Sequence, residues 1–274
     1  EVIKKNYGFK NFKYLTGCSV GSLLCFLLNI GYSIDDIKNI ATKLNFEEFY
    51  QPKLLNLINI GGFVEHKNIR NLLISIISIK NLSNNITFLE LYEKTHVKLT
   101  ITGVNLSYNN CEYFNYINTP SMNIVDALLI SMNIPILCAP FNYNGNNYID
   151  GAVLDPFPHN YNKDTVKLNL IVHSEYENDF ILNNDKNNKL YKENSILNVF
   201  FLIYYNYLKI FYKKKINNTI YIINEPEYNF KLDDNQKLKL FNLGKKKANL
   251  FFRKKINKSK KNYLLKKYFY LLKY

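Results

Sequence analysis

Cysteine is scarce in this 274-residue chain, and its four copies are scattered. Cys18, Cys25, Cys111 and Cys138 sit in apolar or helical settings with no C-x-x-C spacing, which argues against a zinc site or a disulfide framework and fits a reducing compartment. Histidine is equally sparse, and His66 and His96 have no metal-ligand partners at suitable spacing; neither a metal nor a cofactor is expected. Tryptophan is absent while Asn, Lys, Ile, Tyr and Phe are over-used, a bias of the kind an AT-rich genome imposes. There is no initiator Met, no charged and apolar leader and no small-residue cleavage site, so Glu1 reads as an edge within a longer protein, with an intracellular location expected, cytoplasmic or peripheral to a membrane. Residues 196–212 are apolar, but Asn198, Asn206 and Lys209 interrupt them, so they read as a buried or interfacial helix rather than a membrane span. Acid is missing from the end of the chain: residues 244–274 hold 12 Lys or Arg and no Asp or Glu, leaving 24 basic against 22 acidic residues elsewhere. The body is nearly neutral and the net charge of +14 belongs to a basic tail.

Glycine is rare as well, ten residues in all, which makes one cluster informative. Gly17-Cys18-Ser19-Val20-Gly21 follows the apolar positions Phe12, Tyr14 and Leu15 and opens into Ser22-Leu23-Leu24-Cys25-Phe26-Leu27-Leu28. With 12 serines and ten glycines, about 0.02 chance G-x-S-x-G matches are expected. The pattern reads as a strand, a tight turn and a buried helix, with Ser19 held out at the head of a sheet and Gly17 and Gly21 removing Cβ atoms where the backbone reverses. Such a turn is a nucleophile elbow; the plainer reading is a serine that merely caps the helix.

The rest of the chain alternates helix and strand. The first helix should run to about Ile30, with Gly31 after it; Ser33 caps a second over Ile34, Ile37, Ile40 and Leu44. Gly61-Gly62 breaks the chain before an apolar helix through residues 72–79. Thr87-Phe88-Leu89-Glu90 is a capping box. Residues 97–106 read as a strand, Asn109-Asn110 as a turn and residues 111–117 as its hairpin partner. Asn123 caps a helix through Ser131 that Pro135 stops, and residues 144–147 form a polar turn. Residues 166–172 read as a strand buried on both faces. This order predicts an α/β fold, a three-layer α/β/α sandwich around a mainly parallel central sheet, with residues 1–243 as one domain and residues 244–274 as a basic helical tail.

A second motif follows in Tyr148-Ile149-Asp150-Gly151-Ala152-Val153-Leu154-Asp155-Pro156-Phe157-Pro158. A carboxylate at a strand end, followed at once by glycine, sits where the backbone turns and a ligand can approach. With the elbow before it, the chain resembles the patatin-like phospholipases, which carry a G-x-S-x-G elbow and a later D-G-G or D-G-A forming a Ser-Asp dyad. The similarity extends through residues 88–92 and 99–106, and through Asp126-Ala127-Leu128-Leu129-Ile130-Ser131-Met132-Asn133-Ile134-Pro135, with Cys138-Ala139-Pro140 where F-x-P is usual. Pro156 stands where the family usually has Asn. The family's Gly-rich loop, whose N–H groups form the oxyanion hole, would lie upstream of Glu1.

The resemblance implies catalytic Ser19 and Asp150, with Gly17, Gly21 and Gly151 shaping the two turns. Serine is a weak nucleophile, and an aspartate in water is a poor base for it. Asp150 must therefore be desolvated, for which Phe141, Tyr148 and Phe157 stand near in sequence. A Ser-His-Asp arrangement through His159 or His173 is the rival. Three function classes follow: a lipid acyl hydrolase forming an acyl-enzyme on Ser19, of phospholipase A or lysophospholipase type; a catalytically silent lipid- or protein-binding module; and a nucleic-acid binder. Aromatic and leucine residues interleave the tail's charges and no nucleic-acid motif occurs, so the expected partners are a lipid substrate and an anionic membrane surface rather than nucleic acid.

Overall fold

The computed structural model describes residues 12–43, 56, 59, 61–161, 168–174, 203, 207, 216–224 and 233–271, with side chains through residue 255 in the last stretch. One strand, β2 (Lys98–Asn105), organises the sheet. Its Thr100, Ile101, Thr102 and Val104 favour the extended backbone, and every residue after Lys98 is buried. Strand β1 (Tyr14–Gly17) runs parallel to it, ending with Gly17 opposite Ile101. Strand β3 (Asn110–Phe114) lies antiparallel, with Phe114 also opposite Ile101; because Ile101 pairs with both, β1 and β3 occupy opposite edges of β2. Strand β5 (Asn146–Asp150) continues along the edge that β1 has left, antiparallel, with Asp150 opposite Gly103. Strand β4 (Phe141–Tyr143) pairs with β5.

The described sheet is thus mixed rather than mainly parallel. Two tight turns impose this: Asn109 at φ 51° joins β2 to β3, and Asn144-Gly145 at φ 48° and 79° joins β4 to β5, and so short a connection can only return the chain antiparallel. The β4 strand, at three residues, is too short for its alternation to stand out in the sequence.

Helices α1 (Val20–Asn29), α3 (Lys67–Ile79), α4 (Phe88–Thr95) and α5 (Ile124–Ser131) share one apolar core with β2. Their ends follow local chemistry. Thr87 and Glu90 form the capping box that opens α4, Asn123 Oδ1 accepts the Val125 N–H, and Gly31 takes φ 79° just after α1. Helix α2 (Ile34–Lys43) starts with Ser33 and Asp36 bonding each other's backbone N–H. Every residue of α5 is buried except Asp126, as befits a helix packed on all sides, and Asp126 meets Arg70 of α3 at 2.6 Å. Gly103 lets α5 lie close on the sheet, since a Cβ there would come within 2.4 Å of Ile130.

A second, two-stranded parallel sheet joins β6 (Asn169–Ser174) to β7 (Thr219–Asn224). The expectation that the strand here is buried on both faces fails: Ile171 is buried, but Leu170 and Val172 are 38% and 61% exposed, so one face is open. Helix α6 (Asp234–Leu271) covers β7 through Ala248 and Phe252, which pack on Ile220. It starts ten residues before Gly244, and Lys237 Nζ donates to Thr42 O at 2.7 Å near the end of α2. The segment 196–212 lies outside the described residues except at 203 and 207, both helical. Among the described residues no helix is long and apolar enough to cross a membrane.

Phe26 is fully buried against this core. Phe26→Ala is expected to cost about 3–5 kcal/mol, read from urea unfolding midpoints; a loss below about 1 kcal/mol would show that α1 does not anchor the core.

Candidate active site

Strands β1 and β5 meet head to head on one edge of β2. Gly17 faces Ile101 and Asp150 faces Gly103, so the two strand ends are separated by two residues of β2, about 7 Å. The residues just beyond those ends close the gap: Ser19 Oγ donates to Asp150 Oδ2 at 2.6 Å.

Ser19 takes φ 53°, ψ −134°, a left-handed conformation rare for a residue with a side chain and costing on the order of 1–3 kcal/mol. The surroundings hold it there. Gly21 N–H donates to Cys18 O at 2.9 Å and Ser22 N–H to Ser19 O at 2.8 Å, closing the turn. The Ser22 hydroxyl donates to Ser19 O at 2.6 Å, and the Ser19 N–H donates to Ser131 Oγ at 3.0 Å. The Ser19 side chain forms no cap on α1, so the reading of a serine that merely caps the helix does not hold; its hydroxyl is committed to Asp150. The two glycines differ. A Cβ on Gly17 would lie 2.5 Å from Ser22 Cα and 2.6 Å from Gly21 O, whereas one on Gly21 would meet nothing within 4 Å. Only Gly17 is sterically required, because α1 turns back over β1 at that point and Gly21 faces solvent.

Asp150 is fully buried. Burial pushes its carboxyl up to about 7, against the opposing pull of hydrogen bonds from Ser19, the Ala152 N–H and the Cys18 thiol. The Ala152 N–H donates to Oδ1 at 2.8 Å. Gly151 permits this turn, since a Cβ on it would come within 2.3 Å of Thr102 Oγ1. Asn133, buried in the loop after α5, fixes the strand end: its carbonyl accepts the Asp150 N–H at 2.8 Å. Its side-chain amide donates to the carbonyls of Ala139 and Tyr148, both at 2.9 Å, and its Oδ1 lies 3.2 Å from His66 Nε2. Burial lowers the pKa of His66, which has no assigned role in the sequence reading and here supports the loop whose Asn133 holds the backbone of Asp150.

Ser19 meets Asp150 directly, with no histidine between them. His159 stacks on Phe157 with Nδ1 3.1 Å from Phe157 O, and His173 pairs with Ile223 between β6 and β7. His96 ends α4 in a left-handed turn. Among the described residues no cluster of His, Cys, Asp and Glu could hold a metal ion. Ser131 and Asn133 were not singled out in the sequence, although two polar residues punctuating the apolar run from Ala127 to Leu137 are the signal that could have found them, since buried polar groups persist where they are bonded.

A sequence model of the patatin-like phospholipases matches residues 5–162. The chain belongs to this family. It is 31% identical over 252 residues to "Probable lipid hydrolase 463L" of Invertebrate iridescent virus 6, a match covering 89% of this chain and 80% of that protein. It is 27% identical over 158 residues to "Uncharacterized protein R571" of Acanthamoeba polyphaga mimivirus, covering 54% of this chain and 50% of the relative. The fold resembles the crystal structure of VipD from Legionella pneumophila, with a TM-score of 0.66 at 15% identity over 92% of this chain and 63% of VipD. This patatin-like α/β architecture is the one expected of the sequence.

Gly17→Ala is expected to cost about 3 kcal/mol while Gly21→Ala is neutral or stabilising by up to about 1 kcal/mol, measured by thermal melting of both variants. Equal losses would mean that the elbow does not pack on α1 as described.

Proposed function

We infer that the chain is a lipid acyl hydrolase of the serine carboxylic-ester type, working through an acyl-enzyme on Ser19 with Asp150 as its base. The observation that carries this reading is the 2.6 Å hydrogen bond between Ser19 Oγ and the buried Asp150 Oδ2. Family membership and the lipid hydrolase name of the viral relative support the substrate class.

An aspartate is basic enough for this role only when water is kept from it, and Asp150 meets that condition. As Oγ attacks the ester carbonyl, Asp150 takes its proton; the proton then passes to the departing alcohol and leaves the acyl group on Ser19. Water attacks the acyl-enzyme, returns a proton through Asp150 and frees Ser19. The N-terminus of α1 begins at Val20 and carries no acid in its first turn, so its dipole favours the negative charge that develops beside Ser19.

The protein is expected to hydrolyse a chromogenic short-chain ester and a long-chain phospholipid. Ser19→Ala and Asp150→Asn should each remove activity by several orders of magnitude, because members of such a unit fail together, while His159→Ala and His173→Ala keep most of it. The pH profile of kcat/KM should have an acid limb near 7, the value to which burial raises Asp150, with activity rising as the carboxylate loses its proton. Near-normal turnover by Asp150→Asn would refute the dyad; folded protein inert on every ester would favour the silent, binding reading.

The basic helix extends the proposal to a membrane surface. On α6, Ala248 and Phe252 turn inward, whereas Lys246, Leu250, Arg253 and Lys254 face solvent, which suits a helix side lying on anionic lipid. Truncation before Gly244 would strip the cover from Ile220, so charge reversal is the cleaner test. Replacing Lys246, Arg253 and Lys254 by Glu is expected to weaken sedimentation with phosphatidylserine vesicles by about two orders of magnitude, at ~1 kcal/mol per cation. Unchanged pelleting would refute it.

A further inference from the structure

The elbow residue before the serine is a cysteine. Cys18 is half-buried as a residue, but its thiol is shielded from water and, with Asp150 beside it, held firmly protonated, its pKa raised well above that of an ordinary thiol. It is therefore a donor and not a second nucleophile. Its sulfur lies 3.9 Å from Asp150 Oδ1, donating toward the oxygen that Ser19 does not use. That oxygen has one other donor, the Ala152 N–H at 2.8 Å. Oδ2 faces Ser19 and Oδ1 faces Ala152 and Cys18, so the donors on Oδ1 decide which way the carboxylate is turned and which oxygen receives the proton.

We propose that Cys18 is a positioning residue for Asp150: its S–H, with the Ala152 N–H, occupies Oδ1 and keeps Oδ2 as the oxygen that takes the proton from Ser19. The assignment rests on the dyad reading above. The geometry separates the two donors in kind. The Ala152 N–H is backbone, set by the turn at Gly151, and no side-chain replacement can tune it. Cys18 is the adjustable donor, and a weak one, since the less polar S–H makes weaker hydrogen bonds than O–H or N–H. The other ionisable groups that act on the thiol are Cys111 of β3 and Asp155 beyond the turn. Tyr113 of β3 is bonded to Asp155 at 2.7 Å, and Cys138, in the loop before β4, is raised to about 12 by burial and by the charge of Asp150. Across the sulfur, the Thr102 side chain of β2 pulls the thiol's pKa the other way, more weakly than burial and Asp150 raise it. Among these neighbours Cys18 alone points a donor at Oδ1.

Two substitutions of similar size move the donor in opposite directions. Cys18→Ser supplies a stronger donor to the carboxylate and should lower the pH of the acid limb of kcat/KM by roughly 0.3–0.5 units; Cys18→Val removes the donor while filling the space and should raise it by a similar amount. The limb is read from ester hydrolysis and, without turnover, from the rate at which a fluorophosphonate labels Ser19, with thermal melting to establish that each variant is folded. Because the two shifts have opposite signs, one folded variant is enough to decide. A limb that stays within 0.1 unit of the parent's, or moves the same way in both, overturns the proposal even if rates fall, since a merely structural role lowers rate without moving the limb. Asp150→Asn, measured alongside, keeps the two readings apart: if it turns over normally the dyad is wrong, whereas if it is dead and the Cys18 limbs do not move, only the role of Cys18 is.

Discussion

Two strand ends held against one edge of a third bring the site together. Because β1 runs parallel to β2 and β5 antiparallel, both deliver their C-terminal residues to the middle of that edge, at Ile101 and Gly103. The 2.6 Å contact between Ser19 and Asp150 depends on that register, and a slip of one residue in either ladder would turn a side chain to the opposite face. The glycines at 17, 103 and 151 serve the same end, each standing where a Cβ would strike α1, α5 or Thr102. Ser131 and Asn133, from the end of α5 and the loop after it, bond the backbone N–H of Ser19 and of Asp150 respectively. One helix terminus thus fixes both partners from behind.

The strain at Ser19 is sustained by this arrangement. A left-handed serine would relax if its carbonyl and amide were unbonded, but the Ser22 hydroxyl and amide take the carbonyl and Ser131 takes the amide. Backbone strain persists where neighbours over-determine it, and here its result is a hydroxyl turned away from its own helix and toward a carboxylate 131 residues later in the chain.

Local features were readable from sequence, and cooperative ones were not. The elbow stood out because glycine is rare here, and the caps at Thr87 and Asn123 were visible because capping is written in residues at most three apart. Asp150 could be found only as a partner to the elbow; its complete burial is a property of the fold. Gly21 read like Gly17, yet no pattern tells which of two glycines lies under a neighbouring backbone. The antiparallel run of β5 leaves no sign in the sequence because β4 is too short to leave a periodic trace, and the open face of β6 leaves none because an apolar run does not say what will cover it. Asn133 is one asparagine among many in an asparagine-rich chain, marked only by the apolar run around it, yet it bonds the loop at Ala139, strand β5 and His66 at once.

The burial of Asp150 also bears on when the molecule holds together best. Its carboxyl is raised from the ordinary value of 3.8 to about 7 in the folded protein, so the native state grips this proton more tightly than the unfolded chain does. By linkage, the contribution of this group to stability is fully present below the unfolded value, declines as pH rises between the two, and is gone above about 7. The proton acts as a ligand of the native state, and it occupies the very group that must be empty to receive hydrogen from Ser19. Acid therefore tightens the fold around a silenced base, and the range in which that base is free is the range in which its buried charge weighs most heavily against folding.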